Sequence, residues 1–501
     1  LQAVTLGANV ESLGDSCFRA CPELSTVVLN QGLKKIEENS FEKTAISGKL
    51  TLPEGLQSIG EAAFSNTQLS EVELPESLKS IGEQAFCGNA NLTEVKLPSQ
   101  ITRIEASTFA YCTNLKHVEL GGAVESIAEK AFFQCALEGI ELPESLTTIE
   151  REAFCIWDGW DGKMGELKIP KNVMEIGYRA FYKCGITSVE IDGTCLETVG
   201  IEAFMQNVDL LDVKIGGNSL RSIGDYAFGG NYRLKNFECD SDALQTIGDN
   251  AWWNCASLSK IVVPSSAVSV GQNAFRNCNS LFVYFEATSL PETLADGWDR
   301  DITGYALGYS GSGVDDATGI VYDILHSGVR ITGYHGTESE LVLDSIGDLP
   351  VTQIAAGVFK DNNTLTKLTM GESVSDIGQG AFSGCTALQE VRFDKNSKLT
   401  TIKEQLFEGC AKLEVVTLPE ELYAIESYAF HNDAELREIA FPDSLRIVDS
   451  SVFWECPQLE EKENGLTYVG PILVASDNSL SQKVVVRDGT KVIAEYGIWA
   501  G

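Results

Sequence analysis

Histidine and cysteine are the residue types in this chain that most readily bind metal or take part in catalysis. The 501-residue sequence contains only four histidines, His117, His326, His335 and His431. Their spacing does not resemble that of zinc ligands. The sequence also lacks a Gly-rich phosphate-binding loop and a Gly-x-Ser-x-Gly hydrolase motif. Carboxylates are so numerous that no glycosidase-like pair stands out. We therefore expect no catalytic residues, no bound metal and no cofactor.

The cysteines follow a positional rule that argues against a disulfide framework. Nine of the 14 lie three residues after a recurring aromatic residue: Cys21, Cys112, Cys135, Cys184, Cys255, Cys278, Cys385, Cys410 and Cys456. The same position elsewhere holds Asn89, Asn207, Asn231, Asn362, Thr44 or Thr67. A position that accepts Cys, Asn and Thr calls for a small side chain that hydrogen-bonds to turn backbone. We favour buried free thiols, and structural disulfides or metal ligation remain alternatives.

The recurring aromatic residue, called the anchor below, marks a tandem repeat. Most anchors lie 22 to 25 residues apart, at Phe18, Phe41, Phe64, Phe86, Phe109, Phe132, Phe154, Phe181, Phe204, Phe228, Trp252, Phe275, Phe359, Phe382, Phe407, Phe430 and Phe453. Each repeat contains a predicted strand of alternating polarity, such as residues 92–97, in which Val95 and Leu97 share one face while Glu94 and Lys96 share the other. A single repeat cannot bury its apolar face, so stacked repeats must share one core.

The repeat pattern L-x-x-V-x-L-P-x-x-L-x-x-I-G-x-x-A-F-x-x-C resembles the BspA-like class of leucine-rich repeats. The resemblance implies a leucine-rich repeat solenoid: a β-strand-rich, right-handed curved rod of about 22 to 25 residues per repeat, with short turns and few or no long helices. It also implies a bacterial protein that is displayed on the cell surface or secreted, and that acts by adhesion or protein binding.

The outward face of the predicted strands carries the first candidate binding surface. Its members are Glu71, Glu73, Glu94, Lys96, His117, Glu119, Glu141, Glu166, Lys168 and Glu190. Stacking would place successive charges about one strand spacing, roughly 4.8 Å, apart. Two interpretations are open. The stripe is either a set of cross-strand ion pairs that keeps the face soluble, or a docking surface for a basic or polar ligand.

A second candidate is the segment 156–162, Ile-Trp-Asp-Gly-Trp-Asp-Gly, in the one repeat that runs to 27 residues. Trp157 and Trp160 could form an aromatic contact site for a protein or a sugar. In the alternative interpretation, Trp157 packs inward at the position that holds cysteine elsewhere, and Trp160 covers the loop.

Charge limits the partners of this chain. Asp and Glu number 72 against 37 Lys and Arg, for a net charge of −35. Such a surface repels phosphate backbones, so nucleic acid is an unlikely partner. No apolar run approaches the length of a membrane span. We expect a protein partner, for example a host or extracellular-matrix protein, or a glycan, and no membrane insertion of this part of the protein.

The anchors predict two repeat arrays. The first covers residues 1–297. Residues 298–345 form a connector with a turn-rich stretch and a β-hairpin at 320–333, whose turn we expect at Ser327–Gly328. The second array covers 346–501 with an irregular C-terminal end. Both ends of the chain lie in repeat-like sequence, so we expect part of a longer protein.

The leading functional hypothesis is therefore a non-enzymatic, cell-surface or secreted module that presents a repeat surface to host or neighbouring-cell partners. Two alternatives are a structural spacer and a non-catalytic part of a larger surface enzyme.

Overall fold

The computed structural model describes residues 1–157, 162–476 and 484–498. The chain divides into two compact units, Leu1–Leu307 and Gly308–Gly501. Within the described ranges the regular elements are all β-strands, and no α-helix is present. The fold is a leucine-rich repeat solenoid built from parallel-strand turns, as the sequence predicts.

All but one of the repeats of the first unit contribute a strand of alternating polarity to what is called here the front sheet. These front strands are Ala3–Thr5, Thr26–Val28, Ser47–Thr51, Gln68–Glu73, Glu94–Lys96, His117–Glu119, Gly165–Ile169, Ile186–Ile191, Asp212–Ile215, Asn236–Cys239, Lys260–Val263, Phe282–Phe285 and Gly304–Leu307. They pair in parallel with the neighbouring repeat in two-, three- and four-stranded groups. Side-chain alternation puts Val95 and Val118 into the core and leaves Glu94, Lys96, His117 and Glu119 exposed.

A second strand of only two residues follows in each repeat and builds a back sheet. The back strands are Ser12–Leu13, Lys35–Ile36, Ser58–Ile59, Ser80–Ile81, Arg103–Ile104, Ser126–Ile127, Thr148–Ile149, Glu175–Ile176, Thr198–Val199, Ser222–Ile223, Thr246–Ile247, Ser269–Val270 and Thr293–Leu294. The first four form one parallel sheet and the other nine form another. The stack of repeats is thus continuous on the back side from Arg103 to Leu294.

The anchors form an aromatic column in the core between the two sheets. From Phe18 to Phe275, successive rings stack with centroids 5.1 to 6.1 Å apart. In the second unit the column from Phe359 to Phe453 has spacings of 4.9 to 5.7 Å. Because one repeat advances the stack by about one strand spacing, near 4.8 Å, each ring lies directly on the next.

The turn before each anchor places ordinary residues in the left-handed region. Two residues before the anchor, φ is +49° at Ala62, +57° at Lys130 and +52° at Arg179. Residues that carry a Cβ seldom adopt this conformation, yet the turn imposes it in most repeats. As a result, the side chain at this position leaves the turn in a direction that sequence periodicity does not reveal.

The second unit begins with an antiparallel arrangement of Gly311–Asp315, Ile320–Leu325 and Gly328–Tyr334. The turn between the last two strands falls at His326–Ser327, one residue earlier than expected. Gly328–Tyr334 then pairs in parallel with Leu349–Ile354, which pairs with Asp376–Ile377. Ser345–Ile346 adds an antiparallel pair to Leu349–Ile354.

The remaining strands of the second unit repeat the two-sheet pattern. Its front strands are Glu340–Leu343, Lys367–Met370, Glu390–Phe393, Val415–Thr417 and Glu438–Ala440. Its back strands are Thr401–Ile402, Ala424–Ile425 and Ile447–Val448. A last sheet joins Glu460–Glu463, Leu466–Val469 and Ile472–Ser476 in antiparallel fashion, with Val492–Ile493 parallel to the third. Each unit has its own hydrophobic core.

Candidate binding face

The predicted charged stripe lies on the exposed side of the front sheet in the first unit. Its residues line two separate depressions. One, of about 380 Å³, is called the N-terminal depression and is lined by Glu71, Val72, Glu73, Leu74, Glu76, Glu94, Val95, Lys96, His117 and Glu119. The other, of about 640 Å³, is called the central depression and is lined by Ile140, Glu141, Leu142, Glu144, Glu166, Lys168, Ile169, Pro170, Glu190, Ile191, Asp192, Lys214 and Gly216. All ten predicted stripe residues line one or the other.

Ion pairs neutralise part of the N-terminal depression. Lys49 Nζ lies 2.6 Å from Glu71 Oε1 and also contacts Glu73. Lys96 Nζ lies 2.7 Å from Glu119 Oε1 on the adjacent strand. Hydrogen bonds from Lys49 and Thr51 to the carboxylate of Glu73 lower its pKa. These contacts match the cross-strand ion-pair interpretation for this part of the stripe, since paired charges solubilise a face without requiring a ligand.

The central depression combines an apolar floor with an acidic rim. Ile140, Leu142, Ile169, Pro170 and Ile191 supply the floor. The rim carries the carboxylates of Glu141, Glu144, Glu166, Glu190 and Asp192 and the amines of Lys168 and Lys214. Lys168 Nζ lies 3.4 Å from Glu190 Oε2, across a parallel strand pair.

The stripe is not the continuous ladder that regular stacking would give. Glu141 lies in no strand, because the front sheet is interrupted between His117–Glu119 and Gly165–Ile169. At the interruption Gly139 has a φ of +142°, a conformation that residues with a Cβ rarely adopt. No strand pairing sets the register of Glu141, so its spacing from its neighbours stays a prediction.

Trp157 belongs to a cluster of aromatic rings around one arginine guanidinium, beside the turns that carry the anchors. It is 42% exposed, and the Arg179 guanidinium lies 4.5 Å from its ring centroid. The same guanidinium lies 4.9 Å from the Tyr178 ring and 5.3 Å from the Tyr182 ring. Arg179 Nε is 2.6 Å from Glu202 Oε2. The alternative that Trp157 packs inward is thus wrong. Trp160 lies outside the residues that the structure describes.

Several residues of these surfaces escaped the sequence analysis. Glu76, Glu144 and Asp192 line the depressions but were not predicted. Asp192 directly follows its strand, and Glu76 and Glu144 each follow the proline that ends the repeat's strand segment. Arg179 and its two tyrosines carry no such signal, because they meet Trp157 only through the left-handed turn geometry.

Comparison with protein families identifies the chain. The model of the BspA type leucine rich repeat region matches residues 1–48, 46–157, 160–282 and 351–466, which is well over half of the sequence. The chain is a BspA-type leucine-rich repeat protein. Leucine-rich repeat scaffolds are generally non-catalytic and generally bind other proteins. No curated protein sequence matches this BspA-type protein.

Three solved structures similar to the BspA-type protein come from bacteria. A leucine-rich repeat protein from Bacteroides ovatus is 20% identical, with 82% of this chain and 85% of that one aligned and a TM-score of 0.39. A leucine rich cell surface protein from Faecalibacterium prausnitzii is 21% identical, with 82% and 86% aligned and a TM-score of 0.28. A leucine-rich repeat protein from Eubacterium ventriosum is 18% identical, with 67% and 82% aligned and a TM-score of 0.33.

The cysteines of the BspA-type protein are free thiols, and several of them donate hydrogen bonds to backbone carbonyl oxygens. All 14 are unpaired, and nine are buried. The Sγ of Cys135 donates to the carbonyl oxygen of Phe109 at 3.1 Å, and that of Cys278 donates to Trp252 at 3.1 Å, one repeat earlier in each case. Asn231 fills the same position and donates from Nδ2 to the carbonyl oxygens of Phe204 and Phe228. This exchange of thiol for amide confirms the backbone-bonding role.

Burial disfavours the thiolate form of two cysteines of the BspA-type protein, and its described residues contain no cluster of metal-ligating side chains. Burial raises the pKa of Cys155 and of Cys278 to about 12 in each case, so these thiols are poor nucleophiles at neutral pH. Within the described ranges, no group of three or more His, Cys, Asp or Glu side chains is arranged to hold a metal ion. The same ranges contain no helix long and apolar enough to cross a membrane.

Proposed function

We propose that this BspA-type protein is a non-enzymatic binding module, displayed on a cell surface or secreted, and that the front face of its first unit engages a protein partner. The observation that carries the proposal is the presence of two depressions on one face, both rimmed by the charged residues that strand alternation directs outward. Depressions bounded by a few polar groups are where proteins usually receive ligands.

Carboxylates without an ion-pair partner support a partner-binding role for this face over a purely solubilising one. Among the described residues, Glu94, Glu141 and Glu166 have no basic side chain within ion-pair distance, whereas Glu119 and Glu190 do. Exposed carboxylates without partners create a negative potential that attracts a basic partner and fixes its orientation. A face designed only for solubility would not need its unpaired carboxylates concentrated at concave sites.

The proposal is tested by screening the protein against extracellular-matrix proteins, host-cell proteins and glycans at about 0.15 M salt, where diffuse charge attraction is screened. Saturable binding to a protein is the expected result. The double variant Glu119→Lys/Glu141→Lys should weaken that binding at least tenfold. The matched control Glu23→Lys/Glu54→Lys changes the net charge equally at exposed positions outside both depressions and should leave binding within about twofold.

Three results would contradict the proposal. If both double variants weaken binding equally, overall charge and not the front face attracts the partner. If no protein binds saturably, the spacer role becomes the better explanation. Binding to a glycan alone would also move the assignment away from protein recognition.

A further inference from the structure

The front sheet of the first unit lacks one strand, and this gap leaves backbone groups without partners. The neighbouring back strands Ser126–Ile127, Thr148–Ile149 and Glu175–Ile176 pair normally, so the stack itself is intact. In the front sheet, His117–Glu119 pairs only with the preceding strand and Gly165–Ile169 only with the following one. Among the described residues, no backbone hydrogen bond reaches the N–H or C=O groups of residues 139–142.

The missing strand also leaves apolar side chains partly uncovered. Ile140 is half-buried, whereas its counterparts Val118, one repeat earlier, and Leu167, one repeat later, are 9% and 1% exposed. Leu142 is half-buried like its counterpart Leu120, and both Ile140 and Leu142 line the central depression. Covering them with the aliphatic part of a ligand removes apolar surface from water, at about 25 cal/mol per Å².

The polar groups around this floor are mostly hydrogen-bond acceptors. Five carboxylates border the depression, together with the unpaired carbonyl groups of residues 139–142. The only cationic side chains of the lining are Lys168, already paired with Glu190, and Lys214. A ligand that complements this site must bring donors and positive charge on an aliphatic stem. Arginine and lysine side chains have that form.

We propose that the central depression binds an arginine or lysine side chain from an extended segment of a protein partner. The stem of that side chain covers Ile140 and Leu142, and its cation is held by Glu141 and Glu166. The backbone of the segment hydrogen-bonds to the unpaired groups of residues 139–142, as peptides do when they add to an open sheet edge. The inference rests on the proposed function, since it names the partner's chemistry at the same face.

A short peptide tests the chemistry directly. The probe is labelled, acetylated Ser-Val-Arg-Val-Ser amide, titrated with the full chain at about 0.15 M salt while fluorescence anisotropy reports the Kd. Its counterpart with citrulline in place of arginine has the same shape without the charge. Loss of a charged hydrogen bond should weaken binding by about tenfold or more. Equal affinity for both peptides would overturn the proposal.

Matched variants locate the binding. Glu141→Gln/Glu166→Gln removes two unpaired, exposed carboxylates from the central depression and should weaken the arginine peptide about tenfold. The matched control Glu23→Gln/Glu54→Gln removes two exposed carboxylates that line neither depression and should change the Kd by less than about threefold. A similar loss in both variants would show only diffuse charge attraction and would overturn the assignment to this depression.

The two proposals can fail separately. If the peptide does not bind, but Glu119→Lys/Glu141→Lys still abolishes binding of a partner found by screening, then the front face is functional and the arginine or lysine assignment is wrong. If the peptide binds at the central depression but no protein partner exists, the chemistry of the site stands and the proposed function fails.

Discussion

The carboxylate of Asp433 accepts a hydrogen bond from the backbone N–H of Cys410 at 2.8 Å, and both side chains are wholly buried. Asp433 stands three residues after the anchor Phe430, where Asn231 stands in its own repeat. An amide nitrogen there donates to carbonyl oxygens, but a carboxylate has no donor. Its Oδ2 has no hydrogen-bond partner among the described residues, and burial raises the pKa of Asp433 well above its usual value.

Replacing Asp433 by Asn should stabilise the protein at neutral pH. Protonation turns the carboxyl into a donor, so the stabilising contribution of Asp433 is fully present below the unfolded pKa of about 3.9 and is lost as pH rises through the raised folded pKa. Asp433→Asn should therefore raise stability by about 1 to 3 kcal/mol at neutral pH, with a smaller gain in acid. Thermal melting between pH 4 and 8 measures the difference.

The mirror substitution Asn231→Asp is the control for that prediction. It should lower the melting temperature, and more so as pH rises, because it creates the same buried carboxyl in another repeat. A melting temperature of Asp433→Asn equal to that of the parent protein at every pH would show that Asp433 is already satisfied.

The aromatic column should dominate the stability of the first unit. Phe132 is fully buried and stacks 5.5 Å from Phe109 and 5.3 Å from Phe154. We expect Phe132→Ala to cost about 3 to 5 kcal/mol, since it leaves a cavity and removes two stacked contacts. Urea unfolding followed by circular dichroism measures the loss. The control Tyr232→Ala, at a position that is 45% exposed, should change stability little; equal losses would refute a special role for the column.

Thiol reactivity should distinguish the buried cysteines from the exposed Cys17. In the folded protein, Ellman's reagent should react fastest with Cys17, the exposed cysteine, and should not reach buried thiols such as Cys112 and Cys184. After unfolding in guanidinium without reductant, all 14 thiols should react. Removal of the fast phase by Cys17→Ser is the check on assignment, and fewer reactive thiols in the unfolded protein would reveal disulfides.

Arg179 and Trp157 should be energetically coupled. The guanidinium lies over the indole and two tyrosine rings, and Arg179→Lys keeps the charge beside Glu202 while losing the flat stacking surface. A double-mutant cycle of Arg179→Lys with Trp157→Ala should give a coupling free energy of about 0.5 to 1 kcal/mol. The same cycle with Arg233→Lys, whose side chain pairs with Asp209 elsewhere, should give none; a zero result in both cycles would exclude the stacking contribution.

The repeat, its two sheets and its core could be predicted from the sequence because they depend on side-chain alternation and on one recurring anchor. Val95 and Glu94 must point to opposite faces of any strand, and Phe86 must find Phe109 once the repeats stack. The exchange of Cys135 and Asn231 at one position likewise signals a shared contact with turn backbone. These relationships are local or recur from repeat to repeat, so the sequence by itself determined them.

Only the tertiary structure decided where that periodicity fails. Glu141 satisfies the strand pattern, yet no front strand forms beside Gly139, whose φ is +142°, and the central depression lies at this gap. Arg179 reaches Trp157 because a left-handed turn residue sends its side chain across repeats. Both outcomes depend on backbone conformations that ordinary residues adopt only under the constraint of neighbouring repeats. Sequence periodicity describes the average repeat, whereas the candidate binding site lies where one repeat departs from it.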